Sequence, residues 1–120
     1  MSLKGFTWYQ GEANAGRASQ YACLFPAMIK QWRKNFKAEN AYFGFVQLST
    51  WCASPVAIAE IRDAQMAAVA LPNVGYATNA DHGAGCNIHP PAKKFSGVRL
   101  GNSALALAYG KPVAWTLLCI

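Results

Sequence analysis

Two stretches of the chain hold residue types that could do chemistry. The first is Asp81-His82-Gly83-Ala84-Gly85-Cys86-Asn87-Ile88-His89-Pro90-Pro91-Ala92-Lys93. It is a polar, glycine-rich segment between a strand-like run ending near Thr78 and a helical run starting near Pro90. A histidine at the mouth of a helix, behind a flexible loop that holds an acid, is one way to present a general base. Open α/β sheets place such groups just past the carboxyl ends of their strands. The second stretch, Trp8-Tyr9-Gln10-Gly11-Glu12-Ala13-Asn14, ends an aromatic run in amides and a carboxylate.

Hydrolysis of an acyl bond needs a nucleophile, a base, an orienting acid and donors for the oxyanion. The chain has two histidines, His82 and His89, and His89 is the better placed base. Asp81 reaches back to it if the 83–85 segment folds tightly. Gln10, Gly11 and Asn14 supply amide donors where a carbonyl oxygen could sit, and Glu12 fits better as a structural acid. Each has a plainer alternative. Gln10 could be a strand-end hydrogen bond, Asn14 a turn former, Asp81 an Asx-turn, and the whole histidine loop a surface connection packed beside two prolines.

The elements that must position these groups follow from the hydrophobic pattern. Residues 5–9 read as a buried strand. Tyr21, Leu24, Phe25, Met28, Ile29, Trp32 and Phe36 repeat at steps of three and four, the stripe of an amphipathic helix. Pro26 predicts that this helix begins around residues 24–26. Residues 41–48 are apolar at every second position on both faces, as a central parallel strand must be. Ser54-Pro55 opens a second helix through Ile58, Ile61, Ala64, Ala68 and Val69, stopped at Leu71-Pro72-Asn73. Residues 74–78 form a third strand. Phe95, Val98, Asn102, Leu105 and Tyr109 mark a third helix closed by Gly110, within which Gly97 and Gly101 suggest close packing against a neighbour. Pro112 to Ile120 reads as one more strand. The order β-α-β-α-β-α implies an α/β fold, a short parallel sheet between helices in three layers. The three strand-to-loop junctions, at 10–14, 49–53 and 81–89, then fall on one edge of the sheet.

Bulk properties bound the rest. A chain of 120 residues with 53% hydrophobic and 13% charged residues is one domain with ample core and no disorder signature. The net charge is +6, yet the basic residues are scattered. The densest group, Lys30, Arg33, Lys34 and Lys37, reads as a solvated helix face, so no nucleic-acid partner is expected. No apolar run is long enough to span a membrane. The four cysteines, Cys23, Cys52, Cys86 and Cys119, include no Cys-x-x-Cys pair, which argues against a zinc ribbon or a thioredoxin-type site. Three pairings, or none, remain open. Met1-Ser2-Leu3 reads as an expression leader.

Several of these residues also carry a resemblance. Trp8-Tyr9-Gln10-Gly11-Glu12-Ala13-Asn14, Leu24-Phe25-Pro26-Ala27-Met28-Ile29 with Trp32-Arg33, and Phe43-Gly44-Phe45-Val46-Gln47-Leu48 are similar to the sialate O-acetylesterase family of SGNH-type carbohydrate esterases. Ile61-Arg62-Asp63-Ala64-Gln65 and Ile88-His89-Pro90, followed by Lys93 and Arg99-Leu100, continue the match in order. The resemblance implies residues 4–120 to be part of an SGNH/flavodoxin-like esterase domain. It implies removal of acetyl groups from sugar hydroxyls by a serine mechanism with His89 as base, Gln10 as a candidate oxyanion donor, and no metal or organic cofactor. The implied partner is an acetylated carbohydrate, and the implied setting is secreted, periplasmic or lysosomal.

Two departures stand out. The acid commonly three residues before the histidine is here Cys86, which leaves Asp81 as the nearest substitute. The serine of a Gly-Asp-Ser or Gly-Gln-Ser block is absent, and Gly101-Asn102-Ser103 falls inside a helical run. The chain is therefore expected to be truncated on its N-terminal side. Its missing strands would come from the rest of the same domain, or be replaced by self-association as a homo-oligomer. The alternative is a non-catalytic sugar-binding or self-associating module of the same fold, with Trp8, Tyr9 and Trp51 as stacking platforms.

Overall fold

The computed structural model describes residues 3–116. Strands β1 (Gly5–Trp8), β2 (Tyr42–Gln47) and β3 (Val74–Thr78) form one sheet in the order β1-β2-β3, all parallel. The register pairs Phe6 with Phe43, Phe43 with Val74 and Phe45 with Tyr76. Helices α1 (Ala18–Asn35), α2 (Pro55–Met66) and α3 (Lys94–Tyr109) connect and follow them. Short 3-10 turns stand at Glu12–Asn14 and Ala67–Ala70. The α/β reading of the sequence holds.

Alternation along the strands assigns the layers. Phe6, Trp8, Phe43 and Phe45 point to one face, where they meet Phe25 and Trp32 of α1 at centroid separations of 5.3 to 6.5 Å. Ile58, Ile61 and Ala64 of α2 close the same core. Tyr42, Gly44 and Gly75 point to the other face, where the Tyr42 hydroxyl donates to Ser103 Oγ of α3 at 2.9 Å. A Cβ at Gly75 would collide with Ser103 Oγ and come within 2.8 Å of Leu107. Gly75 of β3 therefore lets α3 lie close on the sheet, and Gly44 of β2 leaves room for the Tyr42 ring that meets it.

Several expectations are corrected. Helix α1 starts at Ala18 and runs through Pro26. Tyr21, Phe25 and Ile29 are all buried on its core face, so packing outweighs the one hydrogen bond the proline removes. Leu24 and Phe36, read as part of the core stripe, are exposed. Arg33 is not a solvated residue. It is 5% exposed, and its guanidinium donates to the carbonyls of Ala41, Pro72 and Asn73 at the entries to β2 and β3. Gly97 and Gly101 face no neighbour within 4 Å, so the close approach belongs to Gly75 instead. Helix α3 begins at Lys94, four residues beyond Pro90, and ends on Gly110 in the left-handed conformation as expected. Residues 111–116 form no strand, although Trp115 packs edge-on against Tyr76 at 5.6 Å. The remainder of the expected fourth strand lies outside the described residues.

Candidate functional site

Because the sheet is parallel, the loops after β1, β2 and β3 all leave from one edge. Gly11 follows β1 with φ 153°, and a Cβ there would press on Leu48 at 3.1 Å and Ile61 at 3.2 Å. Only glycine makes this turn without strain. The turn brings Gln10 and Asn14 together, with Gln10 Nε2 donating to Asn14 Oδ1 at 2.8 Å. Glu12 opens the 3-10 turn between them. The two amides line a shallow cleft of about 180 Å³ with Trp8, Tyr21, Phe25 and Met28.

Gln65 ties this turn to the sheet. The side chain is fully buried; its Oε1 accepts from Leu48 N at 3.2 Å, and its Nε2 donates to the carbonyls of Val46 at 3.1 Å and Gln10 at 3.3 Å. Arg62 Nε donates to Leu48 O at 2.7 Å, and burial lowers its pKa. The carboxyl ends of β1 and β2 are thus clamped to α2 by two side chains of the Ile61–Gln65 motif.

The loops after β2 and β3 are joined to each other. Thr50 N donates to His82 O at 3.0 Å and Cys52 N to Gly85 O at 3.2 Å. A disulfide links Cys52 to Cys86. The cysteine pairing that sequence left open is therefore this one, with Cys23 free and exposed and Cys119 outside the described residues. Asp81 accepts both guanidinium nitrogens of Arg99, at 2.7 and 2.6 Å. That pairing holds its carboxyl at about 2, so it stays ionised at neutral pH. Arg99 also donates to Thr78 O at 2.6 Å, fixing the loop to α3.

The histidine beside Asp81 is His82, whose Nδ1 bonds the Asp81 carbonyl oxygen at 2.9 Å and whose Nε2 stands 4.0 Å from the carboxylate. A carbonyl oxygen only accepts, so Nδ1 carries a proton. His89 is exposed; its backbone N–H donates to Asn87 Oδ1, and its ring makes no hydrogen bond among the described residues. Asp81 and His89 are thus held by the same loop without a hydrogen bond between them. Gln10 and Asn14 belong to a different cleft from Asp81.

A second cavity, about 190 Å³, opens between the ends of β2 and β3 and the start of α3. Tyr9, Ser49, Asn79, Asp81, His82 and Lys93 line it. Tyr9 and Ser49 hydroxyls are 2.7 Å apart, and Asn79 Nδ2 reaches Ser49 Oγ at 3.3 Å and Ser96 Oγ at 2.7 Å. Neither Asn79 nor Ser49 was among the site residues expected from the sequence. Their one signal was position, as the first polar residues beyond two apolar strands. Among the described residues, no cluster of three or more His, Cys, Asp or Glu could hold a metal ion.

Residues 1–109 match the family model described as carbohydrate esterase, sialic acid-specific acetylesterase. The chain belongs to this family. It is 38% identical to a sialate O-acetylesterase of Rattus norvegicus and 36% to that of Homo sapiens, in each case over 92% of the chain. It spans about a quarter of the length of these curated relatives. The alignments run over 135 positions, more than the chain has residues, so the relatives carry extra residues inside the matched region. A solved carbohydrate acetylesterase from Xanthomonas citri superposes with a TM-score of 0.90 at 36% identity, over 96% of this chain and 28% of that one. Within the esterase-family motifs, Gln10, Arg62, Gln65 and Arg99 are the residues whose side chains or carbonyls bind the strand ends together here.

Proposed function

We propose that the chain forms part of the active-site edge of an enzyme that removes acetyl groups from sugar hydroxyls. One observation carries the reading: three loops bearing esterase-family motifs leave one edge of a parallel sheet and are clamped there by Gln65, Arg62 and Arg99. In this reading His89 is the base. It takes the proton of a serine hydroxyl as the oxygen attacks the acetyl carbon, then returns that proton to the departing sugar oxygen. Water repeats the cycle on the acetyl-serine and releases acetate. Asp81 supplies the fixed negative charge; beyond the two bonds from Arg99 its oxygens keep lone pairs able to accept a histidine N–H. Gln10 Nε2 gives one of its two N–H groups to Asn14 and keeps the other, so Gln10, the amide nitrogen of Asn14 and the backbone at Gly11 are the donors on offer to the oxyanion. Glu12 shapes the turn.

None of the described serines is the nucleophile in this proposal. Ser49, Ser96 and Ser103 are buried and hydrogen-bonded to Tyr9, Asn79 and Tyr42, and Ser54 precedes α2. The chain alone is then expected to escape labelling by a fluorophosphonate probe, and stoichiometric labelling of Ser19, Ser49, Ser54, Ser96 or Ser103 would overturn that assignment. In an active enzyme containing this segment, His89→Ala should lower acetate release at least about a thousandfold. Near-normal turnover by a folded variant would remove His89 from the mechanism.

A further inference from the structure

We propose that the outer face of α3 is a docking surface for a second copy of this chain, with the two helices antiparallel. The proposal does not depend on the acetylesterase reading. In the sequence, Phe95, Val98, Asn102, Leu105 and Tyr109 form the stripe that an amphipathic helix turns towards its core. In the structure that stripe faces away from the sheet: Phe95, Val98, Leu105 and Tyr109 are 41–57% exposed. The buried face carries Ser96 and Ser103 instead, which accept from Asn79 Nδ2 and from the Tyr42 hydroxyl. Hydroxyls meet the sheet and apolar side chains meet water, an inversion that favours burial against another surface.

The order of the stripe says what that surface is. Read from either end it runs aromatic, aliphatic, amide, aliphatic, aromatic, with Asn102 central. An isologous pair needs a self-complementary surface of this kind, because each contact recurs with the roles exchanged. In the antiparallel pair the Phe95 end of each stripe approaches the Tyr109 end of the other, and the Asn102 amides, able to donate and accept, come near the axis. Charge selects the direction. Lys93 and Lys94 stand at the positive pole of α3, only Lys111 follows its negative pole, and no acidic residue lies between 93 and 111. A parallel pair sets the two strongly positive ends together, whereas the antiparallel pair parts them by about 24 Å, the length of sixteen helical residues. Gly101, beside the stripe, has nothing within 4 Å and leaves room for the crossing. About half of the roughly 200 Å² of a large side chain is exposed at each of four positions, so two copies bury about 800 Å². That is below the roughly 1,200 Å² of stable complexes, so the pair is weak and reversible.

Sedimentation equilibrium of the full 120-residue chain should show a monomer–dimer equilibrium with a dissociation constant between about 1 μM and 1 mM. Leu105→Glu and Val98→Glu should each weaken pairing at least about tenfold, with melting curves at low concentration like that of the parent. Val56→Glu, at a still more exposed apolar position on α2, should leave pairing as it was. A monomer at every concentration, parent-like pairing in the two α3 variants, or equal weakening by Val56→Glu would overturn the docking surface. With Cys23 and Cys119 replaced by serine, Lys94→Cys and Lys111→Cys chains should be joined by a short bismaleimide when mixed and stay unjoined when kept apart. Joining of each variant to itself would overturn the antiparallel arrangement.

Discussion

Gln65→Leu isolates the clamp between α2 and the strand ends. Leucine nearly matches the volume of glutamine, so the change removes polar partners without opening a large void. Three backbone groups lose a hydrogen bond: Leu48 N–H and the carbonyls of Val46 and Gln10. The Gln10 carbonyl also accepts from the Tyr21 hydroxyl at 3.2 Å, so it remains partly satisfied. Carbonyls tolerate one missing partner better than an N–H does. The dominant cost is the buried Leu48 N–H, about 1–3 kcal/mol, with up to about 1 kcal/mol more from Val46 O. Better solvation of leucine in the core returns part of this, which leaves about 2 kcal/mol. For a chain of this size that lowers the melting temperature by roughly 6–10 °C. Urea unfolding followed by circular dichroism should show a reduced midpoint with an unchanged slope. A variant within about 0.5 kcal/mol of the parent would refute the claim that Gln65 holds the edge together.

Three more outcomes follow from the structure. Gly75→Ala drives a methyl into Ser103 and Leu107 and should cost about 1–3 kcal/mol, whereas Gly97→Ala, facing open space on the same helix, should gain up to about 1 kcal/mol; equal effects in thermal melts would contradict the close seating of α3. Asp81 has its carboxyl depressed from 3.8 to about 2 by Arg99, so its contribution is present above about pH 4 and lost as pH falls towards 2. Because its side chain is 49% exposed, that contribution is about 1 kcal/mol or less; Asp81→Asn should flatten the acid limb of the stability curve by this amount, and an unchanged limb would exclude the pair as its source. Reducing the Cys52–Cys86 bond, which closes a span of 34 residues, should cost about 2–4 kcal/mol and loosen the His89 loop, measured by denaturant titration with and without a dithiol; an unaltered midpoint would mean the bond constrains nothing.

Strand and helix identities were legible because apolar periodicity is strong in this chain. The run at 41–48 lies within one residue of β2 at each end, and 74–78 is β3 itself. The start of α1 was hidden by Pro26, a local signal that Tyr21 and Phe25 override by packing. Arg33 was misread because composition cannot show that three strand-entry carbonyls wait for a guanidinium. In the loops, the sequence showed which residue types were present and which edge they would share. It did not show partners: Arg99 comes to Asp81 from eighteen residues away, and Cys52 meets Cys86 across two elements. Such pairings depend on how two loops extend past their strands, for which periodicity carries no signal.

The close seating of α3 on Gly75 makes that helix a lever. Ser103 rests on the sheet near the helix middle, and Lys94 stands nine residues away, about 14 Å along a single rigid rod. Lys93 and Arg99, which reach the loop edge, ride on the same rod. A methyl added beneath the middle of α3 therefore tilts groups at its front end that it never touches. The placement of Lys93 and Arg99 is thus open to adjustment from the floor of the sheet, by a glycine-to-alanine step at position 75 that leaves every residue of the loop edge unsubstituted.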